Sequence, residues 1–278
     1  MEKKAHRLII EPGRVEKNYW LDLWIFKDLF YILSWRDIKV RYKQTVIGTL
    51  WAILRPFLTM IVFTVVFGRV AGLKTEGNAP YALMVLAGLL PWQFFSTAFS
   101  SASDSLVTNA NLLSKVYFPR LIVPASAVIT SLIDFLISFV ILIGMMIYYQ
   151  YVPEWKILLI PVFTLLAFIQ SFAFGLYLSA LNVKYRDFRY VVPFIVQIGI
   201  YISPVGFSSS VIPEKWKVYY YLNPIVSVID GFRWCIIGNG AANPFNQYFL
   251  LSMVITFTML MYAIYKFRKM EKTFADLI

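Results

Sequence analysis

Six stretches of this 278-residue chain are apolar for long enough to cross a hydrocarbon layer about 30 Å thick, which leaves few folds open. They cover residues 49–70, 82–103, 121–149, 156–182, 190–206 and 248–267. In lipid every backbone N–H and C=O must bond within the protein, so unbroken apolar runs of this length imply helices. A β-barrel would show short alternating segments instead. With 59% apolar and 18% aromatic residues, the chain lies outside the range of soluble domains. The expected fold class is an all-α polytopic membrane protein, organised as one transmembrane domain over residues 1–278.

Charge gives the expected orientation. The net charge of +11 could point to nucleic acid, but its distribution does not. Ten Lys and Arg precede the first span, and most of the rest fall in 104–120, 183–189 and 266–272. With six spans these segments share one side, which the positive-inside rule assigns to the cytoplasm together with both termini. A membrane location is expected, with no nucleic-acid partner. No secretory signal is expected, because the first 48 residues are mostly polar or amphipathic.

Three segments outside the spans carry structure. After a cytoplasmic tail over 1–20, residues 21–45 place Leu21, Ile25, Leu29, Ile32 and Leu33 at helical spacing, widened by Trp24, Phe26 and Trp35. Asp37 and Arg41 are spaced to pair. The segment is too charged to span and is expected to lie in the membrane interface; a soluble helix on a partner is the other reading. Within 104–120, NANLLSKVYFPR (109–120) is short and semi-apolar, as a protein-docking segment would be; an ordinary loop is the alternative. Asn109 and Asn111 suit helix capping, and Pro119 the entry to the next span. Residues 207–247 are apolar yet broken by Pro213, Pro224, Gly231, Gly238, Gly240 and Pro244. Two helical fragments, 214–222 and 224–237, would dip into the membrane as a gate on the extracytoplasmic side, or form an ordinary folded loop.

Inside the spans, Trp51, Arg55, Thr59, Phe63 and Phe67 recur every fourth residue, mixing aromatic with polar groups. Phe194, Gln197 and Tyr201 make a second such stripe. Aromatic faces offer sliding contact to sugar rings, although helix packing explains any single Phe equally well. Asp134 is a lone acid deep in a span; a bond to a neighbouring helix is favoured over a proton relay, which needs several titratable groups in series. Ser171, Gly175 and Ser179 predict close helix contact.

Catalytic machinery is missing from the sequence. His6 is the sole histidine and Cys235 the sole cysteine, which argues against His chemistry, a metal site and an intrachain disulfide. No GxxxxGK[ST] loop or DxD pair occurs, so energy for uphill transport must come from another protein. No internal repeat is visible, which weakens a secondary-transporter reading.

The segments WRDIKVRYKQTVIGTLWAILRP, NLLSKVYFPRLIVP, KYRDF and SPVGFSSSVIPEKW…YYYLNP, taken in order, resemble the permease subunit of type-2 ABC exporters of polysaccharide, closest to the O-antigen branch. The resemblance implies a homodimer with an N-terminal interface helix, joined by two copies of a cytoplasmic ATPase that binds ATP and Mg; no cofactor belongs to this chain. It makes Asn111, Leu112, Leu113, Ser114, Lys115, Val116, Tyr117, Phe118, Pro119 and Arg120 the coupling helix. It makes Gly206, Phe207, Pro213, Trp216, Tyr219, Asn223 and Pro224 part of the gate, and assigns the first and fifth spans to the pore. Arg55 departs from the family pattern, where that position is often uncharged.

The expected activity is therefore export of an undecaprenyl-diphosphate-linked glycan. Arg36, Lys39, Arg41, Lys43 and Arg55 would attract the lipid diphosphate. The two mixed stripes would line the glycan channel. A capsule or teichoic-acid-type exporter of the same family is the nearest alternative. A polyprenyl-phosphate glycosyltransferase and a proton-coupled transporter resting on Asp134 are more distant ones.

Overall fold

The computed structural model describes residues 19–43, 46–185, 187–272 and 274, with backbone alone at 46–49 and 239. The tail with His6, and Arg186, lie outside the described residues. Among the described residues every regular element is helical.

Two helices open the chain, α1 (Tyr19–Ile25) and α2 (Lys27–Lys43). The first long apolar helix, α3 (Val46–Phe63), continues as a π-helical stretch over Thr64–Val70. Then come α4 (Tyr81–Thr108), the short α5 (Ala110–Lys115) and α6 (Ile122–Tyr148). A 3₁₀ turn, Trp155–Leu159, leads into α7 (Ile160–Lys184), followed by α8 (Phe188–Ile202). The broken region holds α9 (Glu214–Tyr220) and α10 (Ile225–Ile237), and α11 (Gln247–Glu271) closes the chain.

Five helical segments are long and apolar enough to cross a membrane: Leu50–Val70, Tyr81–Thr108, Ile122–Tyr148, Trp155–Lys184 and Gln247–Glu271. Each coincides with a predicted run. The remaining run, 190–206, yields only the 15 residues of α8, about 22 Å of helix. Ser203–Gly206 leaves the helix, with the Ser203 N–H donating to the Gly199 carbonyl as its cap.

α4 is the centre of the bundle, packed most extensively on α7 and α6 and further on α10 and α3. Small residues make this possible. A Cβ at Gly175 of α7 would stand 2.6 Å from Ala102 Cβ and 3.2 Å from the Phe99 carbonyl of α4. Ser171 and Ser179, one turn to either side, are fully buried. The predicted small-residue ladder is thus the α4–α7 contact, where close backbone approach replaces the hydrophobic drive that lipid removes.

The N-terminal helices leave most of the predicted stripe exposed and bury a second apolar face. Tyr19, Leu23, Phe26, Phe30 and Leu33 face the protein, packed with Leu113, Phe118 and Phe267. Leu21, Trp24, Ile25, Ile32 and Trp35 are exposed. The segment is apolar on more than one face, so spacing alone could not choose which one meets protein. Nor does Asp37 pair with Arg41. Asp37 takes the adjacent Arg36 at 2.8 Å, and Arg41 reaches across to Asp134 of α6.

Candidate functional site

α2, α3, α4 and α6 enclose a cavity of about 270 Å³ lined by Arg41, Tyr42, Trp51, Arg55, Gln93 and Asp134, among others. Helical spacing puts Trp51 and Arg55 on one face of α3. The Arg55 carbonyl accepts a 2.8 Å bond from the Thr59 hydroxyl, next to Pro56, which has no N–H to give its own turn. From α6, Asp134 accepts hydrogen bonds from both the Arg41 guanidinium and the Tyr42 hydroxyl. Burial, then the bond to Asp134, raises the Tyr42 phenol above its ordinary range, keeping it a neutral donor. Asp134 therefore makes the helix-to-helix bond favoured from sequence, and it occupies one of the cations expected to serve the diphosphate.

The predicted cations divide into two groups. Arg41 and Arg55 line this cavity, whereas Arg36, Lys39 and Lys43 line a shallow groove along α2 with Tyr31 and Trp35. Tyr31 and Trp35 stack there at 6.4 Å, and the Lys39 ammonium lies 5.4 Å from the Trp35 ring centre. Arg36 also donates to Asn109 at 2.8 Å, fastening α2 to the junction of α4 and α5.

The two aromatic–polar stripes meet at one point. Phe63 stacks on Tyr201 with ring centres 6.5 Å apart and planes 16° from parallel. Phe67, in the π-helical stretch, sits 5.2 Å from Phe63, and both rings press on Gly206. Gln197 and Phe194, one and two turns earlier on α8, are exposed, and Thr59 is half-buried.

Beyond this contact lies a buried polar cluster that sequence reasoning missed. Arg233 of α10 is fully buried and donates to the carbonyls of Phe207 (2.7 Å) and Val205 (2.9 Å). The Glu76 carboxylate, itself buried, approaches to 3.6 Å. Asp230 accepts a 2.7 Å bond from the Tyr221 hydroxyl. These contacts tie the loops around 76 and 203–207 to α10. The signal was present in IVSVIDGFRWCII, where an acid and a base stand three residues apart in an otherwise apolar helix.

The other predicted gate residues make contacts of their own. The Tyr81 hydroxyl donates to the Gly206 carbonyl, and Asn223 donates to Ser203 at 3.0 Å. Buried Gln170 of α7 donates to the Pro224 carbonyl at 3.1 Å. Pro213 precedes α9, whose Trp216 and Tyr219 are exposed with rings 5.8 Å apart. Lys217, hydrogen-bonded to Glu214, holds that exposed carboxyl below the usual range.

At the opposite end of the bundle, segment 109–120 shows two faces. Leu113, Phe118 and Pro119 are buried, while Asn111, Ser114, Lys115, Val116 and Tyr117 are exposed, and Leu112 and Arg120 are half-buried. Asn109 does not cap α5 with its side chain; the amide instead donates to the Ser105 carbonyl of α4 at 2.9 Å. Pro119 does lead into the next helix, its carbonyl accepting from Ile122 N–H at 3.1 Å.

Comparison with known proteins puts this arrangement in context. The chain is 29% identical over 252 residues to the O-antigen export system permease protein RfbA of Klebsiella pneumoniae, covering 90% of this chain and 95% of that protein. It is 30% identical over 214 residues to the protein of the same name in Myxococcus xanthus, covering 76% and 81%. The polysialic acid transport protein KpsM of Escherichia coli is 21% identical over 235 residues, covering 84% and 91%. The family described as ABC-2 type transporter matches residues 28–237, and the chain belongs to it.

Proposed function

We propose that this chain is the membrane subunit of an ATP-driven exporter that carries a polyprenyl-diphosphate-linked polysaccharide of O-antigen type out of the cytoplasmic leaflet of the inner membrane. The observation that carries the reading is family membership along 28–237 together with near full-length similarity to O-antigen export permeases. α8 completes six spans, α9 and α10 form the gate, and both termini lie in the cytoplasm. Two copies of the chain surround the path, and two copies of a separate ATPase bind ATP with Mg and dock on Asn111–Arg120.

Chemistry follows from charge and shape. Arg36, Lys39 and Lys43 along the α2 groove meet the anionic headgroup first, because juxtamembrane cations concentrate anionic lipid. Arg55 in the neighbouring cavity takes the diphosphate next, and Arg41 joins once Asp134 releases it. The glycan then slides along aromatic faces, with the Phe63–Tyr201 stack opening to admit sugar rings. ATP in the partner shifts the equilibrium between closed and open states by binding them unequally.

The test is translocation of lipid-linked glycan in vesicles that hold both subunits. Export is expected with the intact ATPase and lost with a partner that binds but cannot hydrolyse ATP; undiminished export with that partner sinks the reading. Similarity to the polysialic acid transport protein favours a second reading, a capsule-type glycan. Offering both glycans to the same vesicles separates the two.

A further inference from the structure

α11 is bonded at one end to the segment proposed to receive the ATPase and at the other to the proposed gate. The Arg120 N–H donates to the Glu271 carboxylate at 2.8 Å, and the Arg120 guanidinium donates back to the Glu271 carbonyl at 2.6 Å. The same guanidinium lies 5.8 Å from the ring centre of Phe274, which meets Phe267 edge-on at 5.4 Å. Both rings are fully buried, in a cluster that includes Leu113 and Phe118. Arg268 stacks over Tyr19 at 4.6 Å, which brings α1 onto the same helix end.

Near its other end, α11 holds the broken region by hydroxyl bonds. Ser252 donates to the Tyr221 carbonyl at 3.2 Å and lies 2.7 Å from the Ser227 hydroxyl of α10. Tyr248 stacks on Tyr221 at 5.2 Å and donates to Glu214 of α9 at 3.2 Å. Thr256 accepts from Gln170, which also holds the Pro224 carbonyl. The 25 residues of α11 measure about 37 Å as a helix, the full depth of the bilayer core. A helix does not shorten under load, so a shift at one fixed end must appear at the other.

We propose that α11 is a push-rod: the Arg120–Glu271 clamp transfers displacement of segment 109–120 along α11 to Tyr221 and Ser227, and so couples ATP turnover to the gate. Arg120 and Glu271 are positioning residues, touching neither glycan nor ATP. This rests on the export reading above. It assigns α11 a transmitting role that its apolar composition does not suggest. The role requires the clamp to hold through the cycle, and two separate bonds make it, one to the Glu271 carboxylate and one to its carbonyl.

The experiment uses the complete permease–ATPase complex in vesicles and measures ATP hydrolysis and glycan export together. Glu271→Ala removes the carboxylate half of the clamp, and it is expected to leave hydrolysis near the wild-type rate while export per ATP falls about tenfold, within the usual range for coupling between sites. A proportional fall in both activities, or no change in either, overturns the proposal. A second arm covers a variant that assembles poorly. Arg120→Cys with Glu271→Cys, in a Cys235→Ala background, removes the clamp, and a short bis-maleimide restores it covalently. Cross-linking is expected to recover export per ATP; failure to recover it, or abolition of the residual export, also overturns the proposal. If the wild-type complex itself does not export, the export reading fails instead, so the two failures are distinct.

Discussion

α3 and α4 are both apolar enough to span a membrane, yet they occupy opposite environments. Of the most apolar stretch of each, 89% is buried in α4 and 17% in the span Leu50–Val70 that α3 opens, although α4 is the less hydropathic of the two. In water that order would be reversed. In lipid, an apolar side chain gains nothing by leaving the solvent, so the interior goes to the helix that packs closely and offers polar bonds. α4 supplies Gly88 beside Arg233, Ala102 beside Gly175, and buried Ser96, Ser103 and Ser105. α3 presents Leu50, Ile53, Leu58, Ile61 and Val62 outward.

The largest expected effect concerns the polar interior at its most extreme. Arg233→Met keeps the volume but strands the buried Glu76 carboxylate and two backbone carbonyls. Breaking a buried pair from one side typically costs about 3–5 kcal/mol. Thermal unfolding of the detergent-solubilised protein should show it. Adding Glu76→Gln should return part of the loss, since the uncompensated charge is then gone. No recovery would mean that the carbonyls of Val205 and Phe207, rather than the charge, dominate.

Next in size is Gly175→Leu. It overpacks the α4–α7 contact, and inserted methylenes in a tight core cost about 1–3 kcal/mol. Gly144→Leu on α6 is the control, because a Cβ there meets nothing within 4 Å. It should be neutral or slightly stabilising, since glycine is a poor helix former. Equal losses at the two sites, in the same unfolding measurement, would erase the distinction between interior and periphery.

The sequence made the spans legible because long apolar runs admit one solution in lipid. The broken region was readable in part: Pro213 precedes α9, and Pro224 and Gly238 flank α10. But α9 stops at Tyr220 with no proline or glycine to mark it, and Gly231 sits inside α10. What it did not reveal were pairings between distant segments. Arg41 and Asp134 lie 93 residues apart, and nothing in the spacing of either could name the other. The same holds for Arg120 with Glu271 and for Arg233 with the Phe207 carbonyl. Local spacing proposed Asp37 for Arg41 because it counts only neighbours on one helix. Hydropathy likewise marked α1 and α2 as apolar without saying which face meets protein.

Asp134→Asn tests one of those pairings and is expected to matter less. Arg41 and Asp134 are both only partly buried, at 36% and 23% exposure, and Asn keeps an acceptor for the Tyr42 hydroxyl, so the loss should fall below that of the fully buried Arg233 pair. The variant should assemble, export glycan and leave Arg41 free for a phosphate headgroup. Tighter binding of an anionic lipid than in the parent would support Arg41 as a latent ligand. Abolished transport with intact assembly would instead favour a proton-coupled cycle through Asp134.

The smallest effect is reserved for Leu58→Ala on the outward face of α3. Leu58 is 48% exposed, and truncation there leaves no cavity and no unpaired group. Substitutions away from such features usually stay within about 0.5 kcal/mol. The same measurement should therefore find the variant indistinguishable from the parent. This is also where the comparison between α3 and α4 is easiest to break. If Leu58→Ala costs as much as a buried leucine, about 2 kcal/mol or more, then that face is not in lipid. A second copy of the chain would cover it, and the stability of the variant would then rise with protein concentration, as mass action requires of a protomer contact. A concentration-independent loss would place the cover within the chain itself.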